Sequence, residues 1–269
     1  MAFSIAAFAD EAASSLDGQI TAMRQNDVKY LEIRGVDGEN IADISVQKAK
    51  DIRRRLDDEG IAVWSIGSPF GKISMSDDFD SHLDKFRRCL ETVDILGAEH
   101  FRLFSFYGAD SLDAVCERLA KFIEAAQGSG IILCHENEKG IYGDTAPKCL
   151  EIHRALPELR AIFDPANFVQ CCQNTIEAWD MLSPYVEYMH IKDALADGSV
   201  VPAGKGDGEL PRLLSQYRGR MLTVEPHLSV FDGFEGLEKG SELHGKYVYP
   251  DSFAAFSAAV SALRDIIGR

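Results

Sequence analysis

The feature that most constrains this sequence is a regular alternation of two kinds of segment. Short apolar segments rich in β-branched residues alternate with longer segments of helical periodicity along all 269 residues. Such alternation predicts parallel strands joined by crossover helices. The predicted strands are Phe3–Phe8, Tyr30–Ile33, Ala62–Ile66, His100–Phe104, Ile131–His135, Arg160–Phe163, Val186–Ile191 and Met221–Val224. The predicted helices are Gln19–Asn26, Val46–Asp58, His82–Leu96, Leu112–Gly128, Pro147–Leu156, Thr175–Leu182 and Ser252–Ile267.

Eight strand–helix units in a chain of this length favour one closed (β/α)8 barrel, spanning residues 1–269, over an open sheet. No Gly-x-Gly-x-x-Gly follows the first strand, which argues against a dinucleotide-binding fold. Two connections are long, Gly67–Asp80 and Ser229–Pro250. We expect both at the carboxyl-terminal mouth of the barrel, and the second, with its aromatic residues, to act as a lid or an interface.

Charge and cysteine content exclude several functional classes. The net charge is −15, from 43 acidic and 28 basic residues, and the longest basic run is Arg53–Arg55, so we expect no nucleic-acid partner. The first residues read as a strand, and no apolar run is long enough to span a bilayer, so we expect no membrane association. The six cysteines lack metal-binding spacing, which fits a reducing, cytoplasmic location.

Four polar side chains fall at the carboxyl-terminal ends of four successive predicted strands: Glu136, Asp164, His190 and Glu225. Strand side chains alternate between two faces, so inward-pointing groups at these positions converge near the barrel axis. Two Glu, one Asp and one His suit one divalent ion: Mn²⁺, Mg²⁺, Co²⁺ or Zn²⁺. Singly, each has a structural alternative; Asp164 before Pro165 is also typical of a turn, and His190 of a hydrogen-bonded core histidine.

The motifs around these residues resemble a known family. They are Cys134–Glu138 (CHENE), Ile162–Asn167 (IFDPAN), Met189–Asp193 (MHIKD) and Thr223–His227 (TVEPH). Together they resemble the sugar isomerase/epimerase branch of the xylose isomerase-like TIM barrels. Ketose 3-epimerases, hydroxypyruvate isomerases and inosose dehydratases belong to that group. The resemblance covers nearly the whole chain.

The resemblance implies that Glu136, Asp164, His190 and Glu225 bind one metal ion, and that Glu136 and Glu225 form the proton-transfer pair. The implied reaction is isomerisation or epimerisation of a small sugar or a related hydroxy-carbonyl compound. It removes a proton next to a carbonyl group and passes through a metal-stabilised enediolate. The resemblance also allows a homodimer.

Three further residues are candidates for substrate binding. Arg34 ends the second strand, and it suits either a substrate group at the mouth or an internal ion pair with a carboxylate. Lys192 shares the strand face of His190, and either contacts substrate or pairs with Asp193 or Glu225. Asn167 stands where the ketose 3-epimerases have a substrate-binding histidine, which leaves the identity of the sugar open.

Three other functions compete with this prediction. A dehydratase of an inosose-like keto-polyol would share the first proton abstraction, and Lys192 or His227 would then assist the leaving group. Apurinic endonucleases share the barrel but need extra zinc-binding histidines, which Asn167 and the stretch 197–201 do not supply. A barrel that binds sugar without turnover is disfavoured because both glutamates are present.

Overall fold

The computed structural model describes residues 3–229 and 247–268. Eight strands in this part of the chain form one closed parallel barrel. They are β1 (Ser4–Ala7), β2 (Tyr30–Ile33), β3 (Ala62–Ile66), β4 (His100–Leu103), β5 (Ile132–Glu136), β6 (Arg160–Phe163), β7 (Val186–Ile191) and β8 (Met221–Val224). The strands follow one another around the barrel in chain order, and β1 closes it by pairing with both β2 and β8. The prediction of a single-barrel fold is confirmed.

Helices follow the strands and cover the outside of the barrel. They are α1 (Leu16–Gln25), α2 (Val46–Asp58), α3 (Phe79–Leu96), α4 (Leu112–Ala125), α5 (Ala146–Ala155), α6 (Pro165–Gln170), α7 (Thr175–Leu182), α8 (Leu210–Gln216) and α9 (Ser252–Ile267). Side-chain N-caps fix where several begin: Ser15, Ser45, Asp78 and Ser111 each accept a hydrogen bond from a main-chain N–H of the first turn. In the part of the chain that is described, no helix is long and apolar enough to cross a membrane.

The sequence analysis missed two helices, α6 and α8. They contain six and seven residues, too few for a helical period to be recognised, and each has proline in its first turn. The other predicted elements differ from the structure only at their ends. The strand β5, for example, extends to Glu136, one residue beyond its predicted end.

The barrel wall separates two cores of different size. The larger core lies between the strands and the helices and is built from alternate strand residues such as Leu31, Phe101 and Leu133. The smaller core lies inside the barrel and includes Cys134 and Tyr188. Because strand residues alternate, every second side chain points inward and builds the interior layers.

The structure describes the whole of the first long connection, Gly67–Asp80, but only the ends of the second, Ser229–Pro250. The first begins with Gly67 and Ser68, whose carbonyl groups face the barrel interior, and Phe70 anchors it with a fully buried ring against Phe86 and Phe101. This stretch is therefore packed against the barrel. The predicted lid, Ser229–Pro250, lies mostly outside the described residues, which end at 229 and resume at 247.

A candidate metal centre and active site

The four predicted ligands meet at the carboxyl-terminal mouth of the barrel. Glu136, Asp164, His190 and Glu225 each offer one ligand atom, and these atoms all lie within 4.8 Å of one another. All four side chains are buried. Glu136 and His190 lie in β5 and β7, whereas Asp164 and Glu225 directly follow β6 and β8. Parallel strands thus bring four candidate ligand side chains to one point.

The two oxygens of Asp164 have different surroundings. Oδ1 accepts the main-chain N–H of Asn167 (3.0 Å) and caps α6. Oδ2 is buried and has no hydrogen-bond donor among the described residues, but it forms an ion pair with Lys192 Nζ at 3.2 Å. Burial raises the pKa of Asp164 to about 7 despite that ammonium group. The helix-cap and ligand interpretations are therefore compatible, because each uses a separate oxygen.

His190 lies between two carboxylates. Its Nδ1 is 2.8 Å from Glu136 Oε1, and its Nε2 is 3.2 Å from Glu32 Oε2. Burial alone would lower the pKa of His190, but the charges of Glu136 and Glu32 outweigh it and raise the pKa well above its usual value. One ring nitrogen thus faces the cluster and the other faces the barrel interior.

Glu225 is surrounded by positive groups. Lys192 Nζ lies 3.2 Å from its Oε2, and Arg34 Nη1 lies 3.4 Å from its Oε1. Burial would raise the pKa of Glu225, yet Lys192 and His227 contribute to holding it well below its usual value. Glu225 is therefore ionised at neutral pH, as a proton acceptor must be.

Arg102, in the middle of β4, contacts both glutamates. Its Nη1 lies 3.0 Å from Glu136 Oε2 and 3.9 Å from Glu225 Oε1. Its remaining groups donate to the main-chain carbonyls of Gly67 (3.0 Å) and Ser68 (3.3 Å). Neutral carbonyls thus hold Arg102 in place, and its charge is directed at the two glutamates.

Arg34 was predicted to bind substrate or to form an internal ion pair, and the structure shows internal ion pairs. It binds both oxygens of Asp10 (2.8 and 3.0 Å) and Glu11 Oε1 (3.1 Å), in addition to Glu225. Glu11 also accepts the main-chain N–H of His227, whose Nε2 lies 3.5 Å from Glu225 Oε1. Arg34 is therefore tied to the first and last strands of the barrel, at the edge of the cluster.

Asn167 lies beside the cluster and is almost fully buried. Its Nδ2 donates to the carbonyl of Asn137 (2.9 Å). The Asn137 side chain in turn donates to the main-chain carbonyl of Asp164 and accepts from its main-chain N–H. Asn167 Oδ1 is buried and accepts no hydrogen bond from the described residues. A buried acceptor of this kind is suited to a substrate hydroxyl group.

The glycine-rich turn after β7 is organised by Asp193. Its carboxylate accepts main-chain N–H groups at 2.8–3.0 Å from three glycines, Gly204, Gly206 and Gly208. A Cβ atom at Gly206 or Gly208 would overlap that carboxylate. The turn is therefore a fixed wall next to Lys192.

Sequence reasoning did not identify Arg102 or Glu32 as part of the site. Both lie inside short strands, where burying a charged residue is costly unless it has a partner. A charged residue within a predicted strand was therefore the sequence feature that could have indicated a role in the site. Arg102 is in phase with His100 and Glu32 with Arg34, so alternation places both on the inner face.

Comparison with known proteins identifies the family. The sequence profile described as "Xylose isomerase-like TIM barrel" matches residues 20–245. The chain belongs to the xylose isomerase-like TIM barrels. A search of curated proteins finds no match.

Solved structures of similar architecture include enzymes of several reaction types. The IolI protein with a bound zinc atom is 14% identical, with a TM-score of 0.75 over 98% of each chain. L-ribulose 3-epimerase is 17% identical, with a TM-score of 0.73 over 100% of this chain and 95% of that one. The probable 3-DHS dehydratase AsbF from Bacillus anthracis is 14% identical, with a TM-score of 0.72 over 98% of each chain. At these identities the likeness establishes the shared fold.

The cluster has the chemistry of a divalent-metal site. It joins three carboxylates and one imidazole, and the buried Asp164 Oδ2 has no hydrogen bond from any described residue. Carboxylate oxygens and an imidazole nitrogen are ligands that suit divalent ions such as Mn²⁺ and Zn²⁺. The residues therefore fit the ion that the family resemblance implies.

Proposed function

We propose that this protein is a divalent-metal-dependent isomerase or epimerase of a small sugar or a related hydroxy-carbonyl compound. One observation carries the proposal. Glu136 and Glu225 both belong to the four-residue cluster, but one is in β5 and the other directly follows β8, and two strands separate β5 from β8. The two carboxylates thus approach a bound substrate from different sides. Such an arrangement suits removal of a proton by one and its return by the other.

In this proposal Glu136, Asp164, His190 and Glu225 hold the ion. Bound there, a divalent ion supplies Lewis acidity toward the carbonyl and hydroxyl oxygens of the substrate. Glu225, kept ionised by Lys192 and its neighbours, takes the proton from the carbon next to the carbonyl group. Glu136 then returns a proton to the substrate from the opposite side.

Neighbouring side chains orient the proton-transfer groups and the substrate. Arg102 contacts both Glu136 and Glu225, and its positive charge reduces the repulsion between their carboxylates. Asn167 offers its buried Oδ1 to a substrate hydroxyl, and Lys192 Nζ is placed to bind an oxygen near Glu225. Arg34, held by Asp10 and Glu11, acts mainly by fixing the position of Glu225.

A small molecule suits this site better than nucleic acid. The net charge of −15 disfavours approach of a phosphate backbone. We also propose a cytoplasmic location, which fits six cysteines that are all free thiols in the described residues.

The test is isotope exchange. The metal-loaded enzyme is incubated with candidate ketoses and inososes in deuterated water, and products are followed by NMR and mass spectrometry. Deuterium at a carbon next to the carbonyl, with no change in composition, supports the proposal. Deuterium incorporation followed by loss of water assigns the enzyme as a dehydratase instead. No exchange in any substrate class by an enzyme shown to hold metal would refute proton transfer at this site.

A further inference from the structure

Below the metal cluster, a chain of hydrogen bonds crosses the interior of the barrel. Glu32 Oε2 lies 3.2 Å from His190 Nε2, and Glu32 Oε1 accepts a hydrogen bond from Tyr188 Oη at 2.9 Å. Ser65 Oγ lies 2.9 Å from Tyr188 Oη and 3.4 Å from Glu32 Oε1. All four side chains are fully buried, so the chain links a candidate metal ligand on β7 to strands β2 and β3.

An irregularity in the barrel wall builds this chain. Leu31 pairs with Val63, but the next residue, Glu32, pairs with Ser65. Strand β3 therefore carries one extra residue, Trp64, at this point. A bulge of this kind changes which side chain faces inward, and here it places Ser65 against Glu32.

A carboxylate is an unusual residue for the interior of a barrel. Glu32 is fully buried, and its ion pair among the described residues is with the imidazole of His190, while the charge of Arg102 acts from further away. Burying a carboxylate is costly, and an apolar side chain of similar volume would commonly serve a barrel interior at least as well. The chain of polar groups therefore calls for a functional explanation.

We propose that Glu32 is a positioning residue that holds His190 with Nδ1 directed at the metal. Glu32 accepts a hydrogen bond from Nε2–H and so favours the tautomer protonated at Nε2. When a metal ion binds, Nδ1, which now lies 2.8 Å from Glu136 and 3.6 Å from Glu225, can then give up its proton and offer its lone pair to the ion. Tyr188 and Ser65 fix the orientation of the Glu32 carboxylate. This inference rests on the metal site of the proposed function and adds the residue that sets its affinity.

Outer carboxylates of this kind raise the basicity of a ligating imidazole, and their loss commonly weakens metal binding about 10–100-fold. We therefore expect Glu32→Gln, which keeps the volume but removes the charge, to weaken binding of Mn²⁺ and Zn²⁺ by about 10–100-fold. Isothermal titration calorimetry on the full chain with each metal alone measures this directly. Tyr188→Phe should weaken binding in the same direction but by less, because Glu32 remains and loses one donor.

A matched control lies at the other end of the barrel. Glu187 also contacts a buried histidine, His100 (3.4 Å), and it binds Arg160 (3.0 Å) far from the cluster. Glu187→Gln should therefore bind both metals as tightly as the wild type does. Equal losses in Glu187→Gln and Glu32→Gln would assign the effect to general destabilisation and overturn the proposal.

Thermal unfolding shows whether each variant folds. If Glu32→Gln folds and binds metal with unchanged affinity, Glu32 does not position the ligand. If Glu32→Gln does not fold, Tyr188→Phe decides: weakened binding supports the proposal and unchanged binding overturns it. If the wild type binds neither ion, the metal site itself fails, and the proposed function fails with it. A failure confined to the variants would leave the proposed function intact.

Discussion

His135 and Glu136 are adjacent in the chain but face opposite sides of the barrel wall. Glu136 points inward, to His190 and Arg102. His135 points outward, where its Nε2 lies 3.0 Å from Ser105 Oγ and its ring packs against His153 of α5 at 5.7 Å. One step along β5 thus separates a cluster of carboxylates and cations from a layer in which neither His135 nor His153 forms an ion pair with a carboxylate of the described residues.

The histidines on the two sides differ in charge for a physical reason. Burial lowers the pKa of His135 well below its usual value and that of His153 to about 4. Burial acts on His190 as well, but its carboxylate neighbours reverse the direction. Burial therefore does not distinguish a structural histidine from a functional one. The number of carboxylates within contact distance does.

The largest expected effect is the loss of turnover when Glu225, a carboxylate on the inner face of the barrel, is replaced. Glu225→Gln keeps an oxygen ligand but removes the basicity, so turnover should fall by about 10²–10⁴-fold while measurable metal is retained. Steady-state kinetics and metal analysis of the purified variant test this. If added metal restores the rate, Glu225 only binds the ion and does not transfer the proton. Lys192 or Glu138 would then be the next candidates for the base.

The second prediction compares an inner with an outer histidine. His190→Ala removes a direct ligand, so metal affinity should fall by more than the about 10–100-fold that loss of an outer partner causes. Excess ion should partly restore its activity. His153→Ala should lower the melting temperature because it leaves a cavity, while its metal affinity stays that of the wild type. Equal metal affinity in both variants would contradict the division between the two faces.

The third prediction concerns acid stability on the outer face. His153 has a pKa of about 4 in the folded protein and 6.5 as its reference value, so the unfolded chain binds the proton first. The stability it contributes is complete above pH 6.5 and is lost as the pH falls toward 4, by about 3 kcal/mol in all. Urea unfolding of the wild type and His153→Gln at several pH values measures this. The same pH dependence in both proteins would show that His153 does not contribute.

The smallest expected effect is stabilisation by the ion. A divalent ion at 100 times its dissociation constant should raise the free energy of unfolding by about 2.7 kcal/mol, because it binds the folded state. Thermal melts with and without metal show the change. Asp164→Asn retains the oxygen that caps α6 but loses a charged ligand, and it should respond less. An equal response from this variant would place the ion outside the cluster.

Alternation in the strands was sufficient to predict the barrel and the position of the four cluster residues. Parallel strands of one barrel end at the same rim, so a polar residue at the end of a strand is placed without knowledge of its contacts. Glu136, Asp164, His190 and Glu225 accordingly meet as the sequence predicted. Their role as metal ligands stays a prediction.

The contacts among side chains required the structure. Arg102 and Glu32 lie within strands, and their partners come from other strands that are 34 and 156 residues away in the chain. The bulge that brings Ser65 to Glu32 leaves no trace in the sequence pattern. Periodicity describes one element at a time, whereas these contacts depend on how two elements are registered.

The glycine turn held by Asp193 bears on efforts to change which molecule this barrel accepts. Its three glycine N–H groups converge on one carboxylate, and two of those glycines have no room for a side chain. Libraries that place side chains at Gly206 and Gly208 should therefore disrupt the turn itself. Variation at Asn167, whose buried carbonyl oxygen has no partner among the described residues, offers a more productive starting point for redesign.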